Sequence, residues 1–202
     1  MSKCTYVIGI DEVGRGPLAG PVVVCALALN QKTNKSKNHP PLRDSKKLSA
    51  AQREAWCEWI KAQPNIMYAL ARVRPKTIDR INISQAANLA ATRACLRLCK
   101  KLDIKKEKIK VLLDGGLYLK KPIPRNLFPV TYVKGDELYP VISLASIVAK
   151  VSRDRIMQKL DKQFPEYGFA VHKGYGTRAH YAALERHGPC IIHRKSFLKN
   201  LA

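Results

Sequence analysis

Short apolar runs recur along the chain and are separated by turn-forming or polar segments. Runs of this length that are rich in β-branched residues are typical of buried strands. Five such strands are predicted, at residues 6–10, 22–29, 66–73, 109–113 and 129–133.

Helices are predicted where apolar positions recur every three to four residues, as at residues 84–102 and 141–160. Ser49 followed by Gln52 forms a capping box, which predicts a helix start there. Thr177 and Gly188 bracket a further capped helix. The order of the elements predicts one α/β domain over residues 1–202, a sheet with helices packed on it and a small helical appendage from about residue 160.

Composition narrows the class of protein. The chain has 202 residues and 46% hydrophobic content, which suits a single globular domain with a core. Lys and Arg number 37 against 15 Asp and Glu, a formal net charge of +22. An excess of this size indicates attraction to a polyanion, either nucleic acid or an anionic membrane surface. A generally basic, merely solvated surface is the alternative.

Cysteine usage and apolar segment length bear on location. The six cysteines form no C-x-x-C pair, so free thiols in a reducing compartment are expected. No signal peptide pattern precedes the first strand, and no apolar run is long enough for a bilayer span. We therefore expect a soluble cytoplasmic protein without a membrane partner, and a monomer because no coiled-coil pattern occurs.

Scarce carboxylates follow three of the predicted strands. Asp11 and Glu12 come directly after the first, Asp114 directly after the fourth, and Asp136 shortly after the fifth. Open α/β folds place their sites at such strand ends, so these acids converge if the strands are neighbours. Their mutual repulsion is offset by hard divalent cations, and two such ions can promote phosphodiester hydrolysis. A basic protein with this cluster is typical of a nuclease.

Each acid also has an ordinary structural explanation. A single Asp after a strand is more often a turn former or a helix N-cap, and an adjacent Asp-Glu pair is common on surfaces. The nuclease interpretation therefore depends on the acids acting together.

Longer motifs decide between these explanations. The segment GIDEVGRGPLAGPV at residues 9–22 resembles the opening signature of ribonuclease HII. Further matches to that family follow in order along nearly the whole chain. They are DSKKL at 44–48, KGD at 134–136, SLASIVAKV at 143–151 with RDR at 153–155, HKGYGT at 172–177 and HRKSF at 193–197.

The resemblance implies a ribonuclease H-like fold, a mixed central sheet flanked by helices. It implies an endonuclease that cuts the RNA strand of RNA–DNA hybrids and cuts 5′ of a single ribonucleotide in duplex DNA, leaving 3′-hydroxyl and 5′-phosphate ends. The implied cofactor is Mn²⁺ or Mg²⁺, two ions with substrate bound. The implied catalytic and metal-binding residues are Asp11, Glu12, Asp114 and Asp136. Asp154 also matches a family aspartate, but its basic helical neighbours favour an ordinary ion pair.

The resemblance also implies residues that contact the substrate. The backbone of Gly14, Arg15 and Gly16 is expected to contact the 2′-hydroxyl at the RNA–DNA junction, where glycine permits close approach. Tyr175 is expected to stack on the neighbouring sugar. Lys46 and Lys47 are expected phosphate contacts, with a solvated pair before the Ser49 cap as the alternative.

Two departures and three rival interpretations stay open at this point. Val13 stands where the family more often has a small residue, so it either crowds the site or faces the core, and the loop after Asp114 is fairly long. A ribonuclease HIII-like hybrid nuclease is less favoured because the given chain begins at the first catalytic strand. A non-catalytic nucleic-acid-binding module would not explain the acids, and the extensive core disfavours a structural ribosome-associated protein. A sliding-clamp partner stays open, since no clamp-binding peptide is evident.

Overall fold

A computed structural model describes residues 6–30, 48–102 and 108–198. Its five strands form one mixed sheet in the order β3-β2-β1-β4-β5. They are β1 (Tyr6–Val13), β2 (Val22–Asn30), β3 (Ile66–Val73), β4 (Ile109–Asp114) and β5 (Leu127–Tyr132). β1, β2 and β3 pair antiparallel, whereas β4 pairs parallel with both β1 and β5. The predicted α/β class and mixed sheet are confirmed.

Helices cover both faces of this sheet and form the C-terminal part of the chain. They are α1 (Ala50–Ala62), α2 (Pro75–Ile81), α3 (Ile83–Leu102), α4 (Gly135–Leu138), α5 (Pro140–Asp161), α6 (Phe169–His172) and α7 (Arg178–His187). Short 3-10 turns lie at Pro165–Tyr167 and Lys195–Phe197. The capping box of Ser49 and the cap of Thr177 are both present, as predicted.

Side-chain alternation along the strands divides the core into two layers, because successive side chains of a strand point to opposite faces. Ile8 and Ile10 of β1 belong to the layer that contains the buried face of α3. Val7 and Val13 pack against the other layer, which contains the buried faces of α1 and α5. A third, smaller cluster packs the C-terminal helices, which form the predicted appendage, against the end of α5.

The predicted bounds of β1 and β5 were wrong, and α2 was missed. β1 does not stop at Asp11 but continues to Val13, because it stays paired with β2, with Asp11 opposite Cys25. A strand ladder uses only backbone groups, so charged side chains do not end it. β5 is Leu127–Tyr132 rather than residues 129–133, and α2 was not predicted at all, although Pro75 stands in its first turn.

The loop that follows Asp114 is tied to α3 by two buried polar side chains. The Tyr118 N–H donates to Asn88 Oδ1 at 2.9 Å, and the Lys120 N–H donates to Thr92 Oγ1 at 2.8 Å. These bonds explain why Asn88 and Thr92 lie among alanines on the buried face of α3. The first part of this loop is therefore held in place, although the loop is fairly long.

Candidate active site

The sheet register brings Asp11 and Asp114 to neighbouring positions. The last parallel pair between β1 and β4 is Ile10 with Leu113, so the two aspartates are the next residues of adjacent strands. β5 lies beside β4, and Asp136 follows it in the first turn of α4. The condition for convergence is therefore met, because β1, β4 and β5 are neighbours in the sheet.

Asp11 and Glu12 are consecutive strand residues, so their side chains leave opposite faces of the sheet. Asp11 is hydrogen-bonded to Ser146 of α5 and accepts the Glu12 N–H at 2.7 Å. Glu12 pairs with Arg15 at 3.3 Å, and Arg15 donates to Ser84 Oγ at the start of α3. The two carboxylates therefore straddle the end of β1 and reach the same cavity from both sides.

Asp114 holds α4 in place. Its Oδ1 accepts the N–H groups of Gly135 at 2.6 Å and Asp136 at 3.3 Å, so it caps this short helix. A Cβ on Gly135 would lie 2.7 Å from Ile142 Cδ1 and 3.2 Å from Asp114 Oδ1, so glycine is needed for this close approach. The turn therefore places the buried Asp136 beside Asp114.

Burial and mutual repulsion disfavour the ionised carboxylates. Burial, Glu12 and Asp114 raise the pKa of Asp11 well above its ordinary value, against the lowering effect of Ser146. Burial and Asp114 also raise the pKa of Glu12, although Arg15 lowers it. Glu12 Oε2 is buried, and no described residue donates a hydrogen bond to it. A cation bound at this place would relieve both the repulsion and the orphaned oxygen.

The carboxylates open onto a cavity of about 460 Å³. All four predicted acids line it, as do Gly14, Arg15, Gly16 and Tyr175; its remaining lining residues are Val13, Arg53, Ser146 and Lys150. The cavity therefore brings the predicted metal-binding residues together with most of the predicted substrate contacts.

Arg53, Ser146 and Lys150 were not predicted as site residues. Ser146 and Lys150 lie one turn apart on α5, and Arg53 follows the Ser49 cap by one turn on α1. The helical spacing of the first pair is the signal that could have identified them. Asp154 forms the predicted ion pair, with Lys150 at 2.7 Å. The predicted phosphate contacts Lys46 and Lys47 lie outside the described residues.

Val13 faces both the core and the site, the two possibilities that the sequence left open. It is half-buried, packs against the core layer of α5, and also lines the cavity. Val13 pairs with Val23 of β2. The four carboxylates still line the cavity together beside it.

The donor set fits a hard divalent cation that keeps part of its hydration. All four candidate ligands are carboxylates, which Mg²⁺ and Mn²⁺ prefer. No three His, Cys, Asp or Glu side chains within residues 6–30, 48–102 and 108–198 are grouped closely enough to hold a metal ion. Mg²⁺ is commonly bound through one or two carboxylates, with waters and substrate phosphate completing its shell. The residues present therefore fit such an ion when the phosphate of a substrate supplies the missing oxygens.

The family model and the sequence relatives agree on one family. Residues 8–200 match the family model described as Ribonuclease HII. Ribonuclease HII of Coxiella burnetii (strain Dugway 5J108-111) is 46% identical over 191 residues, which cover 95% of this chain and 87% of the relative. The crystal structure of ribonuclease H2 from Pyrococcus horikoshii OT3 aligns with a TM-score of 0.71 and 26% identity, covering 95% of this chain and 93% of that one. The ribonuclease HII in the PCNA complex from Archaeoglobus fulgidus aligns with a TM-score of 0.67 and 25% identity, covering 94% and 93%.

Among the helices of the described residues, none is both long and apolar enough to span a bilayer.

Proposed function

Since the chain belongs to the ribonuclease HII family and is a ribonuclease H endonuclease, we propose that it cuts on the 5′ side of single ribonucleotides in duplex DNA, as well as within the RNA strand of hybrids. One observation carries this proposal. The four carboxylates share a cavity with the Gly14–Gly16 backbone and Tyr175, on a chain of net charge +22. In this proposal the carboxylates and the junction contacts act on the same phosphodiester.

The carboxylates of Asp11, Glu12, Asp114 and Asp136 are the proposed ligands for two Mg²⁺ or Mn²⁺ ions. When bound, such ions lower the pKa of an attacking water and stabilise the leaving 3′-oxygen, which gives 3′-hydroxyl and 5′-phosphate ends. The protein holds these carboxylates ready: Ser146 orients Asp11, and the backbone of α4 orients Asp114. Arg15 pairs with Glu12 Oε1, which leaves the buried Oε2 of the same carboxylate to bind a cation.

Basic side chains that line the cavity are suited to bind the phosphates on either side of the cut. Arg53 and Lys150 line the cavity and lie on different helices, α1 and α5, so they can contact phosphates on either side of the cut. Lys46 and Lys47 are proposed for the same role from the family motif. Binding through several phosphates releases counterions, so affinity falls with added salt.

The junction contacts distinguish ribose from deoxyribose. The 2′-hydroxyl is the group that separates RNA from DNA, and backbone groups of Gly14, Arg15 and Gly16 can approach it closely. The ring of Tyr175 is 43% exposed at the cavity, where it can pack on the adjacent sugar. We propose that these contacts select the cleavage position.

Asp11→Asn tests the proposal, with Asp154→Asn as the matched control. Both changes replace one carboxylate by an isosteric amide, but only Asp11 lines the cavity. We expect Asp11→Asn to lose at least about 10³-fold in metal-dependent cleavage, a loss typical of removing a principal stabilising group, while Asp154→Asn retains it. Circular dichroism checks that both variants fold. Cleavage by Asp11→Asn within a few-fold of the parent would exclude this catalytic role.

A further inference from the structure

Two arginines that contact the turn after β1 are completely buried. Arg153 on α5 and Arg194 near the C-terminus are both 0% exposed. Within the described residues neither has a carboxylate at salt-bridge distance. Burying a charge without a counter-ion costs desolvation free energy, so hydrogen bonds must offset that cost for these two residues. Their guanidinium groups donate to backbone carbonyls.

Arg194 donates to three carbonyls of the turn that follows β1. Its Nη2 donates to the Gly14 oxygen at 2.6 Å, and its Nη1 donates to the Arg15 oxygen at 2.8 Å. Nε and Nη2 both donate to the Gly20 oxygen, at 3.1 and 2.9 Å. One guanidinium therefore fixes the two peptide planes that join Gly14 to Arg15 and Arg15 to Gly16.

The direction of these carbonyls determines the direction of the adjacent amides. In a trans peptide the C=O of one residue points opposite to the N–H of the next. Since the Gly14 and Arg15 carbonyls point inward to the buried Arg194, the N–H groups of Arg15 and Gly16 point outward. Outward from this turn lies the cavity, which both residues line, and Gly16 is exposed.

Arg153 supports the same turn from a second side. It donates to the carbonyls of Ala19 and Pro21 at 3.1 Å, and to that of Lys173 at 2.9 Å. Its guanidinium also lies 5.9 Å from the ring centre of Tyr175. A Cβ on Gly14, whose φ is +90°, would collide with the Arg153 side chain. Arg153 thus couples the turn to the Tyr175 segment, whereas Arg194 bonds the carbonyls of the two peptide planes themselves.

We propose that Arg194 is a positioning residue that aims the N–H groups of Arg15 and Gly16 into the cavity and thereby sets the preference for a ribose over a deoxyribose at the junction. The inference rests on the proposed function, because it assumes that the turn contacts the 2′-hydroxyl. Arginine is suited to the task because its planar fork carries five donors. A lysine keeps the charge but cannot hold both peptide planes in this geometry.

Arg194→Lys tests the proposal through discrimination rather than overall affinity. Binding is measured by fluorescence anisotropy, in chelator so that no strand is cut, to a DNA duplex with one ribonucleotide and to the same duplex in all-DNA form. We expect the ratio of the two affinities to fall by about tenfold, the effect of losing one hydrogen bond worth about 1.4 kcal/mol. Affinity for the all-DNA duplex should change less than about twofold, since phosphate contacts supply it.

Arg97→Lys is the matched control. Arg97 Nη1 also donates to a backbone carbonyl, that of Leu70 at 2.7 Å, but Leu70 does not line the cavity, whereas Gly14 and Arg15 do. The Arg97→Lys variant should keep the parental ratio. An unchanged ratio in Arg194→Lys, or an equal loss of both affinities, would overturn the inference. Absence of any ribonucleotide preference in the parent protein would instead overturn the proposed junction contact, and the inference with it.

A measurement on the unmodified protein covers the case in which Arg194→Lys does not fold. The amide resonances of Arg15 and Gly16 are followed by ¹H–¹⁵N NMR as each metal-free duplex is added. Larger shifts of both amides with the ribonucleotide duplex than with the all-DNA duplex would support the inference. Equal responses to the two duplexes would overturn it.

Discussion

His193 lies in a buried hydrogen-bonded chain that should make stability depend on pH. The Tyr175 carbonyl can only accept, so His180 Nδ1 carries the proton of their 2.9 Å bond. His180 Nε2 must then accept from His193 Nε2 at 3.0 Å, and His193 Nδ1 accepts the Cys190 N–H at 3.0 Å. Both rings are therefore neutral, and adding a proton to either places two N–H groups face to face or removes an acceptor.

The magnitude follows from the pKa of His193. Burial, the adjacent His180 and His172 lower this pKa from 6.5 to about 4, and the ring is only 3% exposed. His193 thus binds a proton near pH 6.5 in the unfolded chain but only near pH 4 in the folded protein. The stability contributed by the neutral ring is complete above pH 6.5 and is lost as pH falls toward 4. Between pH 7 and pH 5 the loss amounts to about 2 kcal/mol, at about 1.4 kcal/mol per pKa unit.

Urea unfolding of the parent and of His193→Gln at both pH values isolates this contribution. Gln keeps one donor and one acceptor but does not titrate, whereas other groups, including the site carboxylates with raised pKa values, titrate in both proteins and cancel. We expect the parent to lose about 1–2 kcal/mol more than His193→Gln between pH 7 and pH 5. His187→Gln, at an exposed position, should behave like the parent. Equal pH dependence in the parent and His193→Gln would refute the neutral-chain argument.

Three further predictions concern packing and charge. Gly9→Ala should destabilise the fold by about 1–3 kcal/mol in urea unfolding, because the added Cβ would collide with the backbone of Val141 and Ile142. Gly16→Ala should cost much less stability, because its Cβ would meet only Tyr175 Cε1 at 3.8 Å. Equal losses in the two variants would contradict this packing. Asn88→Ala should cost about 1–3 kcal/mol by orphaning the Tyr118 N–H, and a loss below about 0.5 kcal/mol would show that water replaces it. Metal-free affinity for duplex should fall at least about tenfold between 50 and 200 mM salt, and a flat titration would exclude phosphate contacts as its source.

Much of the sheet could be predicted because its strands are short apolar runs with clear ends. The convergence of Asp11 and Asp114 also followed from the pattern, since both come next after runs that prove to be parallel neighbours. The end of β1 was not predictable from hydrophobicity. Its last residues are charged or half-buried, and only pairing with β2 keeps them in the strand.

The support of the site could not be predicted because it depends on contacts distant in sequence. Arg194 reaches Gly14 across 180 residues, and Arg153 reaches Pro21 across 132. In the sequence both arginines stand within family motifs, RDR and HRKSF, but no local pattern there indicates that the fold buries them completely. Asn88 likewise appears as an interruption of an apolar helix face until the loop that it binds is in place. Local patterns carry no information on such partners.

The most direct test of the central claim is cleavage of a DNA duplex that carries one ribonucleotide, with Mg²⁺, with Mn²⁺ and with chelator. The account predicts a single cut on the 5′ side of the ribonucleotide, dependent on added metal. It also predicts a 3′-hydroxyl on the upstream fragment. Cleavage only within long RNA–DNA hybrids, with the single ribonucleotide left intact under every condition, would contradict it.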